Sequence, residues 1–290
     1  MPAGKPALSA VWGYSPTSVW AAGENATVWH FNGTTWKKLS TGPKSSSWFH
    51  AIADLGSNQM LAVGSENLIQ RCSATGCSGT KMSSSTFNKF TWRDVYCEVG
   101  YCLLAGYHSA IPTKSAFYRV PTSGPTFTSL CTLNGPGYGT KIMGIWAAGL
   151  KEAILLGESG AAIHYNGAKC TNKGFPVAPK YLNEAWGSSI TDVWAVGSTD
   201  SYTIGTIGHW NGSKWKQHSS NTNNSLLSVS GRNATDVWAV GHKGTVLHYS
   251  GSNWVPQNAT STSAVLYGVW AAKNGEVFVV GSSGTVLHYK

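Results

Sequence analysis

Three glutamates, Glu24, Glu66 and Glu158, fall within two residues of glycines that close short apolar phrases. His50, Arg93 and Tyr267 sit early in other apolar segments, and His242 follows Gly241. Brought together, these types could do acid–base chemistry. A carboxylate would act as acid or base, an imidazole would move a proton, and Arg93 or Tyr267 would hold an anionic substrate. Glycoside hydrolysis needs two carboxylates at a set separation, and β-elimination on an acidic sugar needs a base beside a charge neutraliser. The residue types are present; their distances are not readable.

A second set of residues suits binding rather than turnover. Asn32-Gly-Thr-Thr-Trp36, Asn211-Gly-Ser-Lys-Trp215 and Ser250-Gly-Ser-Asn-Trp254 are recurring turns that end on an indole. Trp36, Trp215 and Trp254 could stack on sugar faces, with Asn32, Asn211 and Asn253 supplying hydrogen bonds. Weak sites of this kind repeated around one molecule would gain strength by avidity. The competing reading is a turn followed by an outer-strand Trp that covers a sheet edge.

The six cysteines fall into pairs. Cys72 and Cys77 bracket a short loop, Cys97 and Cys102 flank a hairpin turn, and Cys131 and Cys170 occupy corresponding outer parts of neighbouring units. Three disulfides and an oxidising, secreted or extracytoplasmic setting are the expectation. Neither close pair has zinc-knuckle spacing, so no metal is expected. No cofactor is expected either: Gly135-Pro-Gly-Tyr-Gly139 lacks the helix and Lys-Ser/Thr of a phosphate loop. The net charge of +9 is spread over lysines at the ends of repeat units. That pattern gives solubility and excludes a tight basic track for sequence-specific nucleic acid. No apolar run is long enough to span a membrane.

The elements that must position these groups are set by a repeat. Seven apolar phrases end in Gly23, Gly64, Gly106, Gly157, Gly197, Gly241 and Gly281, spaced 41, 42, 51, 40, 44 and 40 residues apart. A unit of that length cannot bury its own faces and must stack on its neighbours. The clearest unit reads as four short strands, Leu226–Ser230, Val237–Val240, Thr245–Tyr249 and Trp254–Val255, separated by Gly/Asn/Ser turns. Seven such units predict an all-β, seven-bladed β-propeller with blades near 8–45, 46–87, 88–137, 138–179, 180–223, 224–262 and 263–290. The last unit ends after three strands, so residues 1–7 are expected to supply its outer strand and close the ring. Trp12, Trp146, Trp186 and Trp270, with Trp20, Trp194 and Trp238, read as packing between blades rather than as sugar platforms. His30, His164, His209, His248 and His288 recur in the third strand and read as structural residues bonding a neighbouring loop.

In a propeller, the turns after the marker glycines share a face with the segments entering each first strand. Glu24, Glu66, Asp94, Glu158, Glu184 and Asp200 all map there, in a chain with only 12 acidic residues. The phrases Asp-Val-Trp-Ala-Val-Gly, Gly-Thr-Val-Leu-His-Tyr and Gly-x-x-Trp resemble the repeats of secreted bacterial propellers of the BNR/Asp-box-like, Ycf48-like and tectonin-type classes. Units one, five, six and seven hold the pattern; two, three and four are degenerate, and the strict Asp-box is absent. The resemblance implies the fold and a secreted setting but no single activity. The favoured reading is a lectin-like propeller binding glycan or polysaccharide through several weak sites. The alternatives are a polysaccharide-active hydrolase or lyase with one site at the channel mouth, and a scaffold that docks a protein partner.

Overall fold

The computed structural model describes residues 5–41, 46–79, 87, 89–111, 114–124, 126–133, 141–177, 179–199, 203–257 and 262–290. Gly135 to Gly139 and Asp200 lie outside them. The chain forms seven antiparallel sheets, each a meander of consecutive strands; six have four strands and the last has three. The first strands of the seven sheets are Leu8–Ser15, Phe49–Gly56, Phe90–Glu98, Ile142–Gly149, Tyr181–Ser189, Leu226–Asn233 and Leu266–Ala271. Each neighbours the next, and the first also neighbours the last, so together they surround a central channel. The expected seven-bladed propeller is therefore the fold.

Seven apolar clusters hold the ring, one at each interface between adjacent blades. Closure uses the same physics as every other joint. Leu8, Val11, Val19, Ala21 and Trp29 of blade one pack against Phe278 and Val280 of blade seven. Lys5 reaches the same seam, with its side chain against Gly284. The three-stranded last sheet agrees with closure by the N-terminal segment; of residues 1–7, expected as the outer strand, 1–4 are not described and 5–7 lie outside any strand.

The marker glycines have one shared physical cause. Where their backbone angles are given, as at Gly23, Gly64, Gly241 and Gly281, the backbone is extended, so space rather than a left-handed conformation demands glycine. A Cβ on any of the seven would collide with the main-chain carbonyl of Ala7, Trp48, Thr91, Lys141, Tyr181, Ser225 or Val265, respectively. That carbonyl accepts the N–H of the residue after the glycine at Glu24, Ser65, Glu158, His242 and Ser282, at 2.8–3.0 Å, while in blades three and five the equivalent residues, Thr91 with Tyr107 and Tyr181 with Ser198, pair within the strand ladder. The second strand is thereby drawn against the start of the first.

The repeated side chains interlock within and between blades. In the second and third strands an imidazole lies between an aromatic ring and a carboxylate. His209 stacks on Trp194 at 4.3 Å and meets Asp192 at 2.5 Å; His248 stacks on Trp238 at 4.3 Å and meets Asp236 at 2.9 Å. His288 repeats this with Phe278 and Glu276, His164 bonds Glu152, and His30 bonds Ser18. The histidines are structural, as expected, but their partner lies at the start of the adjacent strand in the same blade, as its first residue or, for Glu276, the residue just before it. Between blades, the indoles of Trp270, Trp146 and Trp186 lie over Gly13, Gly187 and Gly231 of the next first strand.

All three expected disulfides are present: Cys72–Cys77, Cys97–Cys102 and Cys131–Cys170. The third joins the outer parts of blades three and four. On a chain-entropy basis it closes a loop worth about 4 kcal/mol, against about 2 kcal/mol for each short loop. Among the described residues no helix is long and apolar enough to cross a membrane.

Two measurements check this architecture. Gly241→Ala is expected to lower unfolding free energy by about 2–3 kcal/mol, because a main-chain carbonyl cannot step aside as a flexible side chain can. Gly124→Ala, where a Cβ meets open space, should change it by less than about 0.5 kcal/mol. In urea titrations, joint replacement of Cys131 and Cys170 by Ser should cost roughly twice what removal of the Cys72–Cys77 pair costs.

Candidate functional site

The close approach at the marker glycine forces a β-bulge into every first strand. The ladder skips one residue in each blade: Ser9, His50, Arg93, Met143, Asn183, Leu227 and Tyr267. The residue before each bulge, from Leu8 to Leu266, is at most 1 % exposed and packs between blades. The bulged residue itself is half-buried and lines the channel. A bulge re-aims a side chain, and here it sets seven different side chains at one level of a cavity of 1380 Å³.

Above this ring, Trp48, Lys141 and Tyr181 supply side chains from two residues before the bulge, and Tyr107, Glu158 and His242 from just after the marker glycine. Lys141 pairs with Glu158 at 3.2 Å and lies over the Tyr107 ring at 5.3 Å. Below the ring, three residues past the bulge, the level becomes aromatic. Trp12, Tyr96, Trp186 and Trp270 line the cavity there with Ala53 and Ser230, while Trp146, the seventh residue of the level, lies over Gly187 of the next blade. Beyond this aromatic level the lining turns polar again, with Asp54, Arg232, Lys273 and Asn274.

Between these levels lie two carboxyl groups. Asp94 Oδ1 accepts the Val95 N–H and Oδ2 the Ile145 N–H of the next blade, each at 2.8 Å. Glu184 accepts from Ser228 Oγ and the Val229 N–H, again across a blade boundary. Burial pushes Asp94 up to about 6, against its two backbone hydrogen bonds and the Arg93 charge. Burial, with the Asp94 charge adding to it, pushes Glu184 up to about 8. Other channel side chains stitch the same edges. Ser228 and Ser230 accept the N–H groups of Val269 and Ala271, Asn183 donates to the Leu226 carbonyl, and Ser9 donates to that of Phe49.

His50 and Arg93 meet directly. Arg93 Nη1 donates to His50 Nδ1 at 3.2 Å, and His50 Nε2 bonds Ser65 Oγ at 2.9 Å. Burial and the neighbouring guanidinium push the imidazole down to about 2, so it stays neutral and acts as an acceptor for Arg93. Burial also pulls the Arg93 guanidinium below its ordinary value. His242 is lowered as well, by burial and by Lys243.

Of the candidate catalytic residues, His50, Arg93, Glu158, His242 and Tyr267 line this one cavity. Glu24 and Glu66 do not. Glu24 accepts the Ala7 N–H at 3.0 Å and Glu66 accepts the Ser47 hydroxyl at 2.9 Å, so both anchor chain entering a first strand. The candidate sugar platforms have a packing role. Trp36 faces Phe31 at 5.3 Å, Trp215 faces Trp210 at 5.7 Å, and Trp254 faces Tyr249 at 5.5 Å, each across the outer strand pair. Trp215 is 5 % and Trp254 2 % exposed, which leaves no ring face for a sugar. Asn32 and Asn211 spend their side-chain oxygens on turn N–H groups of Thr34, Thr35, Ser213 and Lys214. Asn253 is exposed. Among the described residues no cluster of His, Cys, Asp and Glu could hold a metal ion.

Trp48, Lys141 and Tyr181 were not singled out by sequence reasoning. The signal that finds them is a fixed count of two residues before each bulge, which needs the strand register.

No protein-family model matches the chain, and no curated protein sequence matches it. Solved structures match in fold over its whole length. The WD40 β-propeller domain of Doa1 is 11 % identical with a TM-score of 0.77, covering 100 % of this chain and 94 % of that one. YCF48 bound to D1 peptide is 16 % identical with a TM-score of 0.75, covering 100 % and 93 %. YCF48 from Cyanidioschyzon merolae is 14 % identical, also at 0.75, covering 100 % and 96 %. The class is thus a seven-bladed β-propeller with Ycf48 and WD40 domains among its structural neighbours.

The channel carboxyls give a pH prediction. Glu184 titrates near 8 in the folded chain against 4.5 ordinarily, so between those values the folded state holds a proton that the unfolded state has lost. Stability should fall as pH rises through that window, and Asp94 adds the same sign between 3.8 and about 6. Thermal melts at about pH 5 and about pH 8 should show the loss, and Glu184→Gln should make it smaller.

Proposed function

We propose that this chain is an extracytoplasmic binding propeller that takes one glycan chain in its central channel. The observation behind this reading is the cavity of 1380 Å³ lined by a bulge ring that is polar except at Met143 and Leu227, and by an aromatic level. Indole and phenol faces stack on the apolar faces of sugar rings, while polar groups fix the hydroxyls. Seven dissimilar side chains at one level suit a single asymmetric ligand. Burial of Trp215 and Trp254 argues against repeated sites on the blade edges. The three disulfides suit a secreted setting.

Binding is favoured over turnover because the carboxylates are engaged. Both Asp94 oxygens hold main-chain N–H groups, Glu158 holds Lys141, and Glu24 and Glu66 hold loop backbone or hydroxyl. A second reading, docking of a peptide segment in the same mouth, draws on a neighbour of the same fold, YCF48, whose structure is of a complex with D1 peptide.

Calorimetry with a panel of oligosaccharides tests the proposal. One site per chain is expected, with Trp186→Ala weakening it about tenfold, the scale of one lost aromatic stacking contact. Trp36→Ala and Asn253→Ala should leave it unchanged. Several equivalent sites lost with Trp36 would overturn the channel assignment. Binding of peptides and of no glycan would favour docking.

A further inference from the structure

Among the described residues Arg93 is a cation without an ion-pair partner. It projects from the bulge of blade three into the channel. A guanidinium has five N–H donors. Here one hydrogen bond is made, to His50, and the buried Nε has no partner. Tyr107, Asp94 and Glu184 favour the charged form of Arg93 electrostatically, and among the described residues none of them forms a hydrogen bond or ion pair with it. Asp94 turns one oxygen to the Val95 N–H of its own blade and the other to the Ile145 N–H of the next, and Glu184 turns to the Ser228 hydroxyl and the Val229 N–H of the blade beyond it. Enclosing a charge without a direct partner is costly. His50, locked by Ser65, holds the guanidinium in place by accepting one N–H. The result is a positioned fork with its partner missing.

On the reading that the channel takes a glycan, we infer that this glycan carries a carboxylate, as a uronate residue does, and that Arg93 is its anchor. A planar carboxylate matches the guanidinium fork, and a charge-assisted pair within the channel is stronger than one in open solvent. Lys141 above the ring adds positive charge at the mouth, shared with Glu158. Tyr107, Tyr181 and Tyr267 line the same end and flank a sugar held there.

The test compares trigalacturonate, its fully methyl-esterified form and triglutamate, by calorimetry and thermal shift, on the intact protein. Trigalacturonate should bind at least about tenfold more tightly than its ester, the worth of one charge-assisted pair. Arg93→Gln should abolish that preference, and Arg93→Lys, which keeps the charge but loses the fork, should restore part of it. Without ligand, Arg93→Gln should melt at the same temperature or higher, since it removes an enclosed charge that lacks an ion-pair partner; a large drop would mark a merely structural arginine and overturn the inference. Equal binding of acid and ester overturns the inference and leaves the glycan reading standing. Arg93-dependent binding of triglutamate alone keeps Arg93 as a carboxylate anchor and overturns the glycan. No response to any of the three overturns both.

Discussion

The structure depends on one close approach: a glycine without a side chain lying against the carbonyl that begins its own blade's first strand. That carbonyl takes the next N–H in most blades, and the geometry leaves no room for a Cβ. Fixing this contact seven times fixes the inner hairpin of every blade. The bulge follows from it, because the first strand must take up one extra residue to stay paired beyond the contact. The channel lining follows from the bulge. A feature that looks like turn chemistry therefore determines which seven side chains face the lumen.

The second constraint is the free edge of each first strand. Seven open edges facing a wet channel would leave backbone groups to water or to a passing strand. The chain covers many of them with short polar side chains and, at Asp94 and Glu184, with carboxyls. This use of acids explains why an acidic channel mouth need not be catalytic. It also couples blade packing to proton binding, since the groups that bridge blades titrate within an ordinary pH range.

Much of the fold was legible because the seven glycines answer to the same steric demand, so even degenerate units keep them. The aromatic–histidine phrase was legible as structural, but its carboxylate partner was not, because the hydrogen bond runs diagonally across a strand pair. Trp215 and Trp254 looked like exposed platforms in sequence; which face an outer-strand residue presents is decided by its cross-strand neighbour, here Trp210 and Tyr249. Glu24 shared with Glu158 the place directly after a marker glycine, and Glu66 stood one residue later, but neither shared its direction. Only register separates a side chain that faces the channel from one that ties down a loop.

The disulfides lie in the degenerate units. Cys72 and Cys77 occupy the register of the Phe31–Trp36 and Tyr249–Trp254 pairs, so a covalent tie stands where other blades use two rings. Arg71 and Arg119 likewise replace the recurring histidine in blades two and three. The ring thus has two kinds of fastening: blades five, six, seven and one rely on packing that reduction does not touch, while the arc from two to four relies on cystine. A reducing milieu would slacken the circumference on one side, the side that bears Arg93, and turn a uniform wheel into a gripped rim with one soft quadrant.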